Sequence, residues 1–261
     1  MDDQIYTPLI DDFVWSYSRV NSFNGCRYAW FMKYICREKE DDMFYSSYGS
    51  FIHKLLEGFY KGELTKDEME TEFILDFQKE VKGKRPSAKI AHSYFQNGIA
   101  YFENFKPLPY KVLEVEGKFE FDLESKGKKY PFIGFIDYLG EDNEGNLILV
   151  DNKSRALKQR SKRKKPTVKD QELDEMLRQL YIYAEGVHQK YGKYPTKLCF
   201  NCFRNGEFIE EDFDPVKLHE AINWAAETIE QIRVANDFYP NIDYFKCRNI
   251  CGLVNKCCYN E

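Results

Sequence analysis

The chain has 261 residues, 43% of them hydrophobic and 31% charged, with a formal net charge of −5. This describes an ordinary globular protein, long enough for one large domain or two small ones. The acidic balance excludes a global basic signal for nucleic acid, so any such signal has to be local. No apolar run approaches the ~18 residues of a membrane span, and the start MDDQIYTPLIDD is acidic, unlike a secretory signal; a cytoplasmic protein is expected. Eight cysteines in a reducing compartment are not expected to pair as disulfides. They are either buried small hydrophobes or metal ligands, and spacing has to decide.

The first hundred residues read as helical. SRVNSFNGCRYAWFMKYI offers Ser18 as an N-cap, with Val20, Phe23, Ala29, Trp30 and Tyr34 near helical spacing. YGSFIHKLLEGFYKG places Ile52, Leu55, Leu56 and Phe59 on one face, and helices are expected over 65–81 and 87–105. KPLPY breaks that pattern. Strands are expected from Val112 to Phe121 and through KKYPFIGFIDYLG, and EDNEGN is a turn leading to the strand in GNLILVDNKSR. A basic stretch, RALKQRSKRKKPTVK, precedes a helix at about 170–190. TKLCFNCFRNGEFIEEDF reads as a hairpin around Asn205-Gly206, followed by a helix over 215–236 and a cysteine-rich tail. Hairpin strands apolar on both faces suit a sheet covered on both sides, an α/β core with a central mixed sheet flanked by helices.

Charge follows apolar residues abruptly at the third strand, where Leu147–Val150 give way to Asp151, Asn152 and Lys153. With the EDNEGN turn centred on Glu144, Asp137 faces Asp151 and Phe135 faces Lys153. Alternation then puts Asp137, Asp151 and Lys153 on one face. Opposed side chains sit about 5 Å apart, where like charges destabilise a sheet, so something positive belongs between the aspartates. Lys153 supplies it in part, as a strand-end salt bridge; a divalent metal supplies it fully. Two carboxylates and a lysine suit phosphodiester hydrolysis assisted by Mg²⁺ or Mn²⁺. His53, on a helix four residues after Gly49, is either a solvated histidine or a metal ligand. Gln179 and Tyr183 lie one turn apart on the 170–190 helix. Tyr183 falls inside its apolar arc, and Gln179 sits at the margin, from which a polar group can reach a neighbouring site.

Taken in order, GSFIH, GFID, LVDNK and QLYIY resemble the PD-(D/E)XK nucleases, in particular the RecB/AddB nuclease domain and the small CRISPR-associated exonucleases related to it. SYSRVNSFNGCRYAWFMKYI is similar to their N-terminal helix. The resemblance covers nearly the whole chain. It implies a restriction-endonuclease-like core at 108–213, a helical N-terminal layer at 1–107 folded onto it, and a C-terminal helix with a cysteine-rich tail at 214–261, forming one composite domain. It implies that His53, Asp137 and Asp151 bind metal, with a backbone carbonyl from Asn152. Lys153 is then catalytic, with Gln179 and Tyr183 on the flanking helix. The activity implied is a metal-dependent deoxyribonuclease, an exonuclease acting on ends or single-stranded regions, with a helicase or recombination protein as partner. Alternatives are a catalytically silent nucleic-acid-binding or scaffold subunit, or hydrolysis of another phosphodiester such as RNA.

Related enzymes hold an iron–sulfur cluster with one N-terminal and three C-terminal cysteines. The resemblance maps these onto Cys26, Cys247, Cys251 and Cys257, for a 4Fe–4S cluster. The x3 gap between Cys247 and Cys251 is one longer than usual and Arg27 stands where proline is frequent, so packed thiols or zinc remain alternatives. Cys199 and Cys202 lie three apart on a strand, facing opposite sides, and are expected in the core, as is Cys36. Arg155, Lys158, Arg160, Lys162, Arg163, Lys164 and Lys165 are either a solvated loop or a phosphate-binding stretch beside the site.

Overall fold

A computed structural model describes residues 6–259; the first five residues of the acidic start lie outside the described residues. The N-terminal helices are α1 (Thr7–Asp11), α2 (Tyr17–Gly25), α3 (Arg27–Tyr34), α4 (Phe44–Tyr60), α5 (Lys66–Glu80) and α6 (Ala88–Glu103). The stretch read as one helix from Ser18 is two. Ser16, not Ser18, caps α2 by accepting the Arg19 N–H. Cys26 is extended (φ −158°, ψ 109°), so it ends α2 and caps α3, its sulfur accepting the Ala29 N–H. In α4, Ile52, Leu55 and Leu56 are buried on the face their spacing predicts. Thr65 and Glu68 open α5 with a reciprocal capping box. α4, α5 and α6 enclose an aromatic core of Phe44, Tyr48, Phe73 and Phe102, which Phe203 joins.

One mixed sheet has the order β1 (Lys111–Ser125), β2 (Lys128–Glu141), β3 (Leu147–Lys153), β4 (Lys197–Cys202), β5 (Glu207–Asp212). Only the β3–β4 pair is parallel. Its crossover is α7 (Val168–Tyr191), since parallel neighbours need a long connection. Between β1 and β2, Lys126 (φ 51°) and Gly127 (φ 77°) both sit in the left-handed region, as a tight two-residue hairpin turn requires. α7 and α8 (Pro215–Arg233) bury one sheet face with α1–α3, around Leu149, Leu177, Leu180 and Ile229. Against the other face, Tyr138, Ile148, Val150 and Cys199 pack together with Tyr60 of α4. A short α9 (Tyr244–Asn249) leads into the tail.

Cys199 and Cys202 are both buried, in clusters on opposite sheet faces, as strand alternation demands. Cys36 is a correction: it lies just past α3, where the chain has left helix and core, and is exposed. No helix among the described residues is long and apolar enough to cross a membrane.

Candidate active site

The β2–β3 ladder pairs Glu141 with Leu147, Gly140 with Ile148, Leu139 with Leu149 and Tyr138 with Val150. Its turn is therefore centred on Glu144, and the next residues in register are Asp137 and Asp151. There the ladder stops. The Asp137 carboxylate accepts the Asn152 N–H at 2.6 Å in place of a strand carbonyl. The expected Phe135–Lys153 pair does not form, and Phe135 is exposed.

On the other edge of β2, Val115 pairs with Tyr138 and Gly117 with Ile136, which leaves Glu116 level with Asp137. Glu116 adopts φ 50°, in the left-handed region. Glu116, Asp137 and Asp151 thus occupy one register row across β1, β2 and β3, at the point where both ladders open. Glu116 was missed in the sequence. Counting back from the Lys126-Gly127 turn would have found it, because that register sets Glu116 against Asp137.

α4 adds His53, whose Nδ1 lies 3.5 Å from Asp137 Oδ2 and 3.8 Å from Glu116 Oε1. One ligand atom from each of His53, Glu116 and Asp137 falls within 4.8 Å of the others. Burial opposes a charge on His53, but Glu116, Asp137 and Asp151 outweigh it and raise its pKa. Asp137 is pushed up from 3.8 to about 7, by burial first and by the Asp151 charge second. Asp151 Oδ2 is buried without a hydrogen bond, and Lys153 Nζ stands 2.7 Å away as an ion pair. The salt bridge expected of a plain strand end is therefore present. It leaves Asp137 crowded against a second carboxylate. Oxygen donors held this close, with an imidazole beside them, fit a divalent cation.

Lys153 Nζ also donates to Gln179 Oε1 at 2.9 Å, so the helix-margin glutamine reaches the site. One turn on, Tyr183 packs over Gly134, where an added Cβ would come within 2.8 Å of its ring. Burial pushes the Tyr183 hydroxyl well above its usual range, keeping it neutral. Asn152 turns its side chain away from the acids, accepting from Asn201 Nδ2 at 2.7 Å.

The basic stretch divides in two. Arg160 is held by Asp174 at 2.7 Å and Glu211 at 2.9 Å, and Arg155 pairs with Glu172. Ser161 is pinned to Asp170 through its N–H and hydroxyl, both at 2.7 Å. Lys158, Lys162, Arg163, Lys164 and Lys165 are exposed and make no ion pair among the described residues. Cys26, Cys247, Cys251 and Cys257 line one cavity of about 90 Å³. Burial, then the three other thiols, raise the Cys251 pKa. Cys258 instead lies against the Tyr28 hydroxyl, 3.1 Å from it.

A sequence model of the PD-(D/E)XK nuclease superfamily matches residues 14–258, and the chain belongs to that superfamily. Among solved structures it is similar to a "Putative exonuclease" from Eubacterium rectale, with 13% identity over 98% of this chain and 92% of that one and a TM-score of 0.54, a likeness of fold. SSO0001 aligns at 15% identity over 81% of this chain and 96% of its own, with a TM-score of 0.34, too distant to carry an argument. No curated protein matches the chain.

Proposed function

We propose that the protein is a metal-dependent deoxyribonuclease that degrades DNA from ends or single-stranded regions. The observation that carries this reading is the meeting of Glu116, Asp137 and Asp151 in one row beside His53 and Lys153. His53, Asp137 and Asp151, with Glu116 and the Asn152 carbonyl, would hold Mg²⁺ or Mn²⁺, hard ions that prefer oxygen. Such an ion, when bound, polarises a phosphoryl oxygen and makes water more acidic. Lys153 is a charged donor held between Asp151 and Gln179. From there it orients the attacking water or stabilises charge developing on the phosphate. Gln179 fixes that ammonium, and the Tyr183–Gly134 contact sets the height of α7 over β2. Lys158 and the exposed tip Lys162–Lys165 carry the phosphate backbone, while Arg155 and Arg160 shape the loop through their ion pairs.

The cysteine cavity is read as a 4Fe–4S site. Cys26 at the start of α3 and Cys247, Cys251 and Cys257 of the tail meet on its wall, four thiols of the kind that hold such a cluster. The catalytic reading is tested on end-labelled single-stranded, duplex and circular DNA, with RNA alongside, under Mg²⁺ or Mn²⁺. Metal-dependent loss of linear DNA that Asp151→Asn abolishes is expected. Full activity in that variant would refute the site; no cleavage of any substrate would favour a silent scaffold.

A further inference from the structure

We propose that the large cavity between α6 and the β4–β5 hairpin is a nucleotide subsite, taking an unpaired residue of the strand that enters the metal site. The proposal rests on the nuclease reading and adds where the strand goes. The cavity measures about 870 Å³, within the ~300–1,000 Å³ typical of small-ligand sites. Its walls combine three chemistries. Tyr60, Tyr110 and Phe208 are half-buried rings, which stack on any base without sequence preference. Asn97, Asn104, Asn201 and Asn205 bring amides. Lys106 and Arg204 bring positive charge, while the lining acid, Glu210, shares Lys197 with Asp212, at 2.9 and 2.7 Å.

Asn104, Asn201 and Asn205 already donate amide hydrogens within the protein, so a purely apolar ligand would cover their side-chain oxygens without partners, at a desolvation cost. A simple anion would leave the rings unused. A base with its phosphate uses all three. Asn201 gives both amide hydrogens away, one to Tyr101 Oη and one to Asn152 Oδ1, each at 2.7 Å, so its own oxygen remains as an acceptor on the wall. Asn205 Nδ2 donates to Leu157 O at 3.0 Å, which joins this wall to the basic segment.

The same amides tie the cavity to the site. Asn201 holds Asn152, whose N–H holds Asp137 at 2.6 Å. Three hydrogen bonds therefore connect the cavity wall at Tyr101 to a metal-binding carboxylate. A base inside a duplex is stacked and enclosed, so only a single-stranded segment can place one here.

Photocrosslinking tests this directly: the intact protein in EDTA, with an oligodeoxynucleotide carrying 5-iodouracil. Crosslinks are expected on Tyr60, Tyr110 or Phe208, competed by unlabelled single-stranded oligothymidylate and not by a blunt duplex hairpin. Crosslinks confined to the Lys162–Lys165 segment would overturn the subsite. In a second arm, Asn104→Trp with Lys106→Glu fills the cavity mouth and reverses its charge, and both positions are exposed. KM for a single-stranded oligonucleotide should rise about tenfold, the scale of one lost stacked base, with a cooperative melt retained despite loss of the Asn104–Ala100 hydrogen bond. An unchanged KM refutes the proposal. Failure of the nuclease reading looks different, as undiminished cleavage by Asp151→Asn whatever the crosslink map.

Discussion

Asp137→Asn should stabilise the metal-free protein at alkaline pH while destroying its metal site. The Asp137 carboxyl is raised from 3.8 to about 7 by burial and then by Asp151, with His53 and the Asn152 N–H pulling the other way. In the unfolded chain it titrates near 3.9. A folded pKa above the unfolded one means stability that is fully present below about pH 4 and lost as the pH rises through about 7. His53 works in the same direction, its raised pKa contributing stability below about pH 6.5 that is lost once the pH passes the folded value. The Asp137 gap corresponds to at most about 4 kcal/mol, at 1.36 kcal/mol per tenfold. Its side chain is 11% exposed and its neighbours can relax, so about half is expected to survive. For a chain of this size about 2 kcal/mol is roughly 4–8 °C in Tm. An asparagine oxygen can still accept the Asn152 N–H, so the substitution removes charge and keeps the bond. In EDTA the variant should melt about 4–8 °C above wild type at pH 8 and level with it at pH 4. Adding Mn²⁺ should raise wild type alone. Parallel Tm–pH curves for the two proteins would refute the argument.

Lys153→Ala should retain Mn²⁺ binding by calorimetry and lose turnover by about 10² or more; loss of metal binding would show the lysine to be structural. Neutralising Lys162, Arg163, Lys164 and Lys165 together should weaken DNA binding uniformly across sequences and flatten its salt dependence, read by fluorescence anisotropy. Wild-type affinity and slope would make the tip a solvated loop. Anaerobically purified protein should be brown with broad absorbance, and Cys251→Ser should bleach it and lower Tm while some cleavage persists. Colourless protein lacking iron would make these thiols packing residues.

Much of the fold was legible because each element carries its own period. The apolar faces of α4 and α7 repeat over several turns, and the helices expected over 87–105 and 170–190 span Ala88–Glu103 and Val168–Tyr191. The break at Cys26 was not, because apolar spacing continues across it and the cap is a thiol, not one of the usual cap residues. Cys36 misled for a related reason: a small apolar residue beside an apolar run reads as core until the helix end is known. In the site, the opposition of Asp137 and Asp151 followed from one turn, since period-2 alternation propagates faithfully from a fixed centre. The same logic failed two residues further on. Phe135 and Lys153 would pair in a regular ladder, but the Asp137 side chain occupies the place of the next bond. Arg160 counted as a free cation in one dimension; its partners Asp174 and Glu211 come from α7 and β5.

Glu116 shows what the proposed metal site would demand of a backbone. A non-glycine residue at φ 50° costs about 1–2 kcal/mol and persists only where its surroundings hold it. Here it also leaves the β1–β2 ladder at the level of Asp137 and brings a third acid beside that carboxylate, which without a cation adds repulsion to strain that only its pairing with a protonated His53 offsets. Both costs vanish in Glu116→Gly, because glycine adopts that φ freely and carries no charge. The metal-free variant should therefore melt no lower than wild type in EDTA, against the usual effect of placing glycine in a strand. Its Mn²⁺ affinity should fall, and the excess stability of the holo form with it. If Glu116→Gly instead lowered the apo Tm and left Mn²⁺ affinity untouched, the left-handed turn would serve the twist of β1 alone. The cation would then be held by His53, Asp137 and Asp151 without Glu116.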